Sequence, residues 1–487
     1  MRKRFCQPRL DCQPIIEVEL NLRCRHELVP ILAGLQHLYG QPALRDEILA
    51  LIAGDVNQDS REDCGRRGLD HWHILVLAGA RLGCGLDYDQ LQDLAENHRH
   101  LRYIMGLGDW EEGPSMSWRC IRDNLCQLRP QTIMQIELLI VQQGHRLVPE
   151  AVEQVRVDSF VVETNIHYPT ESSLIQDGLR KVIGISERLA TADSLSGWRQ
   201  AAHLLKKGKA LNHKISRIVA KKGGQYKTRL QKEYRKLLDH SGKVLRKARA
   251  LIEQVLSLSP ELATLEQLEQ LRMYLSRTEQ VRGTARRRVL KGEQVENAEK
   301  LFSIFEAHTQ LYRRGKAGQP NQYGRLVLVC EDAGGFIVHH ALLPRDVQDV
   351  DVAVDQTRKL QQRLGHRVKQ ISFDRGFHSP SNQEQLSGLV EHVCLPKPGA
   401  KQSVVQEAEA SAEFFASRQR HPGVESAVGA LQRGNDLERC RDRGELGFER
   451  YVALGVLGRN LHVLGKHVIA QHDASCAAAT RQRGQRR

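Results

Sequence analysis

Residues 155–162 read VRVDSFVV, and residues 371–377 read ISFDRGF. Both stretches are rich in β-branched and aromatic residues, so each predicts a buried strand that carries one aspartate, Asp158 or Asp374. A carboxylate in or at the end of such a strand is costly to bury unless a partner compensates its charge. The simplest arrangement is that the two aspartates face each other and share a divalent metal ion. The sequence therefore predicts a fold in which these two strands are neighbours.

The chain is basic, and its 487 residues are enough for two to four domains. Lys and Arg outnumber Asp and Glu by 72 to 58, which gives a formal net charge of +14. This excess favours a polyanionic partner, with nucleic acid ranked before an anionic membrane. A basic soluble protein without such a partner has the same composition, so composition alone leaves both interpretations open.

Eleven cysteines are scattered along the sequence and form no CxxC pairs. This usage is typical of a reducing cytosol rather than of a disulfide framework. The basic start, residues 1–4, is not followed by an apolar stretch, so neither a signal peptide nor a membrane span is predicted. We therefore expect a cytoplasmic protein with no membrane partner.

Residues 1–150 predict an N-terminal all-helical domain. Apolar residues recur at helical spacing in several segments, and Ser117 and Pro130 are suited to begin two of the helices. Short helices with tight turns that carry His and Arg are typical of a helix-turn-helix-like DNA-binding region. Small helical bundles that bind nothing have the same features, so both interpretations remain open.

A long basic segment, residues 172–315, separates two strand-bearing regions, 151–171 and 316–470, and predicts helices. Between residues 199 and 249 its charges are almost all positive, and like charges repel unless phosphates neutralise them. We expect contacts with the phosphate backbone of DNA, although a solvated helix face would look similar. The basic residues singled out for this role are Lys206, Lys207, Lys221, Lys222, Arg286, Arg287 and Arg288.

Residues 316–470 predict the second part of a mixed sheet. Two strands flank the turn at residues 331–334 and predict an antiparallel hairpin. A helix is predicted from about residue 351 to 364, before the strand that ends at Asp374, and further helices follow. Residues 471–487 are expected to form a basic, disordered tail.

Without the basic segment, this order of elements is that of a ribonuclease-H-like core: three antiparallel strands, a helix, and a fourth strand beside the first. In such a core Asp158 and Asp374 come within metal-bridging distance, and Glu425 on a later helix supplies a third carboxylate. Carboxylates suit Mg²⁺ or Mn²⁺. Two such ions, about 3.5–4 Å apart, can activate a water or a 3′-hydroxyl for displacement at phosphorus. The predicted fold is thus an α/β, ribonuclease-H-like mixed sheet with a large helical insertion, carrying two ions.

Other carboxylates compete for the metal-binding role. Asp332 is the rival second ligand, although it lies at a hairpin turn, where Asp is common. Glu163 lies at odd spacing from Asp158 and is predicted to point to the opposite face of the strand. Second choices for the third ligand are Asp436, Glu438 and Asp442. Acids interpreted as exposed helix or loop charges are Asp177, Glu306, Asp346 and Asp349. Histidines interpreted as ordinary side chains are His71, His73, His339 and His340.

Short motifs recur in a specific order from about residue 14 to about residue 465. They lie at residues 68–77, 157–170, 316–318, 372–377, 396–397, 421–426 and 439–462. Together they resemble a DDE transposase of a bacterial insertion sequence, of the ISNCY family. The resemblance assigns the catalytic, metal-binding triad to Asp158, Asp374 and Glu425. It implies metal-dependent cleavage at terminal inverted repeats and transfer of the freed 3′ ends to target DNA.

The resemblance also implies partners and a location. Double-stranded DNA is the expected substrate, and a homodimer is expected to assemble on it. The protein would then act in the bacterial cytoplasm, at the nucleoid when it is bound to DNA.

The motif around Glu425 departs from related transposase groups, which have Arg one helical turn before the Glu and Lys two turns after it. These places hold His421 and Gln432, with Arg433 adjacent. His421 would share a helix face with Glu425 and contact phosphate. If the helix begins only after Pro422, the expectation that the two residues share a face is weaker. His421 and Arg433 are therefore further expected DNA contacts.

Two rival functions fit much of the same sequence. One is a two-metal DNA endonuclease of the same fold that cleaves without strand transfer. The other is a catalytically inactive, domesticated DNA-binding protein. An inactive DNA-binding protein requires one of the three carboxylates to be missing or displaced, whereas the sequence contains all three motifs.

Overall fold

The computed structural model of the chain describes residues 12–57, 68–108, 116–221, 223–258, 260–313, 320–399 and 409–485. The chain forms two compact units. The first combines Met1–Glu163 with Arg325–Arg487, and the second is Thr164–Gly324. The first unit contains helices and most of a mixed sheet, whereas the second is mainly helical. The fold class is therefore α/β, as the sequence predicted.

Helices fill the N-terminal part of the first unit. They are α1 (Leu28–Tyr39), α2 (Pro42–Val56), α3 (His71–Gly83), α4 (Tyr88–Asn97), α5 (Arg99–Ile104), α6 (Trp118–Leu125) and α7 (Pro130–Leu147). Prolines begin α2 and α7, because the first helical position has no use for an N–H group. Ser117 caps α6 as predicted, and its hydroxyl accepts a hydrogen bond from the backbone N–H of Cys120.

The last helix of the chain, α16 (Glu445–Gln485), packs against α1, α3 and α7. Glycines permit this close approach: a Cβ atom at Gly465 would clash with the carbonyl oxygen of Pro30. Likewise, a Cβ atom at Gly458 would lie 2.5 Å from the backbone nitrogen of Gly83. The N-terminal helices, predicted as a domain of their own, therefore share one compact unit with the C-terminal part.

The end of α16 differs from the prediction of a disordered tail from residue 471 onward. The helix continues to Gln485. Residues 473–480 read DASCAAAT, and alanine has the highest intrinsic helix propensity. A basic composition was therefore an insufficient reason to predict disorder here.

A mixed sheet carries the two strand aspartates. Its strands in the described residues are β1 (Gln154–Thr164), β2 (Gln310–Tyr312), β3 (Gln322–Asp332), β4 (Ile337–Leu342), β5 (Gln370–Phe373), β6 (His392–Cys394) and β7 (Arg439–Cys440). The order is β2-β3-β1-β5-β6, with β4 also paired to β3 and β7 to β1. The predicted hairpin is present, since β3 and β4 are antiparallel. Strand β5 runs parallel to both β1 and β6.

Helices connect and follow the later strands. They are α12 (Asp349–Arg363), α13 (Pro380–Ser387), α14 (Ala412–Arg420) and α15 (Gly423–Gly429). Helix α12 corresponds to the helix predicted at about residues 351–364 and contacts both β4 and α13. Its place between β4 and β5 lets the chain return so that β5 lies beside β1.

The second unit is a bundle of long helices. They are α8 (Glu171–Ala192), α9 (Ala201–Lys221), α10 (Tyr226–Ser257) and α11 (Leu262–Ala285), and a π-helical turn, Arg286–Lys291, follows. Buried leucines such as Leu179, Leu237 and Leu271 form their shared core. The basic insertion predicted at 172–315 is thus largely helical, although β2 at its end belongs to the sheet. Within the described residues, no helix has both the length and the apolar character needed to cross a membrane.

Candidate active site

The register of β1 and β5 brings the two predicted aspartates side by side. Arg156 pairs with Ser372 and Val157 pairs with Phe373 in this parallel arrangement. Asp158 and Asp374 follow directly, at the next position of the same register. Adjacent strands lie about 4.8 Å apart, so these two backbone positions are neighbours across the sheet. This adjacency was the central expectation from the sequence.

Alternation along the strands gives the two aspartates a common face. Val155 and Val157 are buried, whereas Arg156 and Asp158 are partly exposed. Asp374 is exposed at the end of β5. The backbone N–H of the residue after each aspartate donates to its Oδ1 atom at 2.7 Å. Asp374 thereby caps the short 3-10 helix that follows, which fixes the orientation of its carboxylate.

His421 connects this face to the segment that carries Glu425. Its Nδ1 atom lies 3.1 Å from the hydroxyl of Ser372. Ser372 lies two residues before Asp374, so the two side chains point to the same face of the sheet. Burial lowers the pKa of His421, while Asp374 and Glu425 both raise it and Arg156 lowers it further. These electrostatic interactions place the imidazole near two of the three predicted carboxylates.

Glu425 is exposed in the first turn of α15. Helix α15 begins at Gly423, after Pro422, so His421 lies before the helix. His421 and Glu425 are therefore not an i, i+4 pair within one helix. The backbone of His421 and Pro422 nevertheless keeps right-handed helical dihedral angles. His421 thus occupies the junction between α14 and α15, and its described polar contact is with Ser372.

Arg156 is a residue of this site that the sequence interpretation missed. Its guanidinium donates to Oε2 of Glu331 at 2.7 Å and to the carbonyl oxygen of Arg420 at 3.2 Å. A Cβ atom at Gly423 would meet the same guanidinium, so the glycine leaves room for this side chain where α15 begins. Arg156 therefore ties the junction of α14 and α15 to β1. No local sequence signal points to this role, because its partners lie far away along the chain.

A cavity of about 400 Å³ opens along β1 and β5, at the strand positions that precede the two aspartates. Its lining includes Arg156, Ser372 and Arg420. Arg156 is already paired with Glu331 at 2.7 Å, and Arg420 adds a second guanidinium group of the kind that binds phosphate. The sheet face that carries the aspartates therefore also carries arginine side chains.

Asp349 is a second missed residue, and its interpretation as an exposed charge was wrong. It is only partly exposed, and its Oδ1 atom accepts a hydrogen bond from the Ser159 hydroxyl at 2.6 Å. A Cβ atom at Gly376 would lie 3.7 Å from its other carboxylate oxygen. Asp349 therefore lies between the backbone that follows Asp158 and the turn that follows Asp374.

Asn382 stabilises the turn that follows Asp374. Its side-chain amide donates to the carbonyl oxygens of Val350 and Phe377, at 2.7 and 2.9 Å. It is buried, so these two hydrogen bonds link the turn after Asp374 to the start of α12. Together with Asp349, it gives the second aspartate a rigid support.

The rival carboxylates have structural partners. Asp332 is fully buried, 2.7 Å from Nε2 of His145, and caps the turn by accepting from the N–H of Phe336. Asp442 forms a 2.7 Å ion pair with buried Arg81. Asp436 accepts a hydrogen bond from the hydroxyl of Tyr451 at 2.6 Å. These contacts favour a structural role for all three.

Two further acids have partners of their own, and a third is buried. Glu163 pairs with Arg439 at 2.9 Å. Asp177 was also predicted to be exposed, but it is only partly exposed and lies 3.0 Å from Nε2 of His167. Glu306 was also predicted to be exposed, but it is buried, so this interpretation was wrong.

Two histidines on β4 bear on where a metal ion could bind. His339 lies 2.9 Å from the side-chain oxygen of Gln356, and His340 lies 3.0 Å from Glu137, so both have ordinary buried partners. In the part of the chain that the structure describes, no group of three or more His, Cys, Asp and Glu side chains is arranged to hold a metal ion. The donors of Asp158, Asp374 and Glu425 are nevertheless all carboxylate oxygens, the ligand type that Mg²⁺ and Mn²⁺ prefer.

The predicted DNA-contacting residues differ in their surroundings. Lys206, Lys207 and Lys221 are exposed on α9, and Arg286 is exposed at the start of the π-helical turn after α11. Arg287 pairs with Glu293 and Glu299, and Arg288 pairs with Glu171, so these two guanidinium groups already have carboxylate partners. Arg433 is exposed beyond α15, and Lys222 lies outside the described residues.

Comparison with known proteins gives no family assignment: no family model, no curated protein and no solved structure matches this chain.

Proposed function

We propose that the chain is a DDE transposase that cleaves DNA at the ends of an insertion sequence and transfers the freed strands to target DNA. One observation carries the proposal: the parallel register of β1 and β5 places Asp158 beside Asp374 on one sheet face. The interactions of His421 with Asp374 and Glu425 support Glu425 as the third member of the site.

The topology supports a ribonuclease-H-like core for this proposal. The sheet contains the order β4-β3-β1-β5-β6, in which β1 is central and β5 lies parallel beside it. Helix α12 connects the hairpin to β5, as the fourth strand of such a core requires. Such a fold would carry its chemistry on carboxylates of these two adjacent strands, here Asp158 within β1 and Asp374 directly after β5.

The three carboxylates have a shared role in the proposed reaction. Asp158, Asp374 and Glu425 would hold two Mg²⁺ or Mn²⁺ ions, which supply an activated oxygen nucleophile and stabilise the leaving oxygen at phosphorus. The backbone N–H bonds to Asp158 and Asp374 keep their carboxylates oriented before substrate arrives. His421, through Ser372, keeps the segment that carries Glu425 against the same face.

DNA would be bound through its phosphates. Helix α9 carries exposed Lys206, Lys207 and Lys221, and the α9 segment, Ala201–Lys221, contains no acidic residue. Such a surface neutralises phosphates without reading base sequence. The proposal includes double-stranded element ends and target DNA as partners, a homodimer assembled on DNA, and action in the bacterial cytoplasm.

The decisive experiment uses the purified chain with DNA from the ends of its own element, with and without Mg²⁺. We expect cleavage at the element's ends and joined products with target DNA, both only in the presence of the ion. Cleavage without joined products would support the rival two-metal endonuclease instead. Binding without any cleavage would support the inactive DNA-binding protein.

A further inference from the structure

The second unit contains a cavity that the proposed catalytic site does not use. Its volume is about 1280 Å³, above the range of about 300–1,000 Å³ that is usual for small-ligand pockets. It is formed by the start of α8, the end of α9, the start of α10 and the segment after the π-helical turn. All of its lining residues belong to Thr164–Gly324.

Cations meet at this cavity. Arg288, Lys300 and Arg313 all line it. Burial, Arg288 and Arg313 lower the pKa of Lys300, while Glu171 and Glu299 raise it, so both guanidinium groups lie near this ammonium group. Glu171 offsets part of this charge, because it pairs with Arg288. A bound phosphate would relieve the remaining repulsion.

Acids at the cavity do not cancel these cations. Glu293 also lines it, but Glu293 is already held by Arg287 at 2.8 Å and by Lys291 at 3.4 Å. A further acid, Glu296, also lines the cavity, and so does a further cation, Lys227. The cavity therefore retains a positive side where an anion can be held.

The other walls are apolar and aromatic. Val219 lines the cavity although 42 % of its surface is exposed, and Leu230 and Val289 lie nearby. Tyr226 and Tyr234 add aromatic rings. Proteins that bind single-stranded nucleic acid combine the same two features, a positive groove for the backbone and aromatic side chains on which bases stack.

From this combination we infer that the cavity binds nucleotides, with phosphate at Arg288, Lys300 and Arg313 and the base against the apolar and tyrosine-lined wall. Its size suits several linked nucleotides of an unpaired strand better than one free nucleotide. The inference rests on the proposed DNA partner but not on the cleavage chemistry.

The test is fluorescence anisotropy of the full chain in EDTA with a labelled eight-nucleotide thymidine strand and with a labelled duplex. We expect the double variant Lys300→Gln/Arg313→Gln to weaken single-strand binding about tenfold more than duplex binding. The variant Val219→Trp, which fills the cavity from an exposed position, should have the same selective effect. The matched control is Lys243→Gln/Arg246→Gln, which removes equal charge from exposed positions on α10 outside the cavity.

Competition identifies the source of the nucleotide. Displacement of the strand by unlabelled single strands, but not by millimolar thymidine monophosphate, is the expected result. Displacement by the mononucleotide at low concentration would assign the cavity to free nucleotides instead. Equal losses in the cavity variants and the control, or binding of phosphatidylglycerol vesicles in place of the strand, would overturn the inference.

The inference and the proposed function fail separately. Wild-type protein that cleaves element ends but does not bind the single strand contradicts only the inference. Protein that binds the strand at this cavity but never cleaves contradicts only the proposed function. Circular dichroism of each variant confirms that its helices remain folded.

Discussion

At the scale of single residues, long-range hydrogen bonds support the two aspartates. Asp158 and Asp374 stand out in the sequence because each follows apolar strand residues. The contacts made by Arg156 and Asp349 cannot be recognised in the sequence, because their partners are distant along the chain. A polar residue in a sequence reveals its chemistry but not its partner, and this limited prediction of the site's surroundings.

Asp349 provides a prediction about positioning. Asp349→Ala removes the acceptor for the Ser159 hydroxyl, a hydrogen bond to a charged group worth about 1.5–3 kcal/mol. The backbone that orients Asp158 should loosen, so half-maximal cleavage should need several-fold more Mg²⁺, with a smaller loss at saturating Mg²⁺. The measurement is the Mg²⁺ dependence of the cleavage rate. The control, Asp355→Ala, removes an exposed carboxylate from the same helix, and equal behaviour of the two variants would refute the assignment.

His339 provides a prediction about pH. Burial lowers its pKa from 6.5 to about 4, so the folded protein keeps it neutral while the unfolded chain takes up a proton below about pH 6.5. The unfolded state then binds more protons, and stability falls as pH falls. Between pH 7 and pH 4 this residue should account for a loss of about 3 kcal/mol.

The measurement is urea unfolding of the wild type and His339→Gln across this pH range. We expect the variant's stability to depend less steeply on pH, because the titrating imidazole is gone. His472→Gln, at an exposed position, should keep the wild-type slope. Parallel curves for all three proteins would show that His339 does not titrate in this way.

At the scale of elements, periodicity predicted much of the fold. The hairpin around residues 331–334, the helix that became α12 and the strand before Asp374 all follow from local patterns. The packing of α16 onto the N-terminal helices does not follow from local sequence patterns. It depends on glycines, such as Gly34 and Gly465, that become neighbours only in the folded chain.

This helix packing can be tested with one methyl group. Gly465→Ala would press a Cβ atom into the carbonyl oxygen of Pro30, and backbone cannot yield as a flexible side chain would. We expect a loss of about 1–3 kcal/mol in the free energy of unfolding, measured by denaturant titration. In contrast, Gly54→Ala, in α2 with open space around it, should be neutral or stabilise by up to about 1 kcal/mol. Similar effects at both sites would contradict the packing described here.

At the scale of the whole molecule, the proposed catalytic carboxylates and the basic helix α9 belong to different compact units. The proposed active site lies in the unit that contains β1 and β5, whereas the basic face of α9 lies in the other unit. The net charge predicted a polyanionic partner, but it could not reveal that Arg287 and Arg288 are paired with carboxylates. Composition counts charges, and only the fold shows which of them have partners.

Salt dependence tests the proposed role of α9. Each phosphate contact contributes about 0.9 to the slope of log affinity against log salt concentration. Lys206→Gln/Lys207→Gln should therefore reduce the slope for duplex DNA by about 1.8. Lys359→Gln, an exposed lysine on α12, should leave it unchanged. An unchanged slope in the double variant would remove these lysines from the DNA interface.

Asp158, Asp374 and Glu425 are proposed to form one metal-dependent site. The most direct measurement is single-turnover cleavage of element-end DNA in Mg²⁺ by Asp158→Asn, Asp374→Asn and Glu425→Gln, each checked for folding and DNA binding. We predict that each variant binds DNA normally but cleaves at least about a thousandfold more slowly, equivalent to about 4 kcal/mol of activation free energy. Cleavage at the wild-type rate by any one of the three would contradict the account.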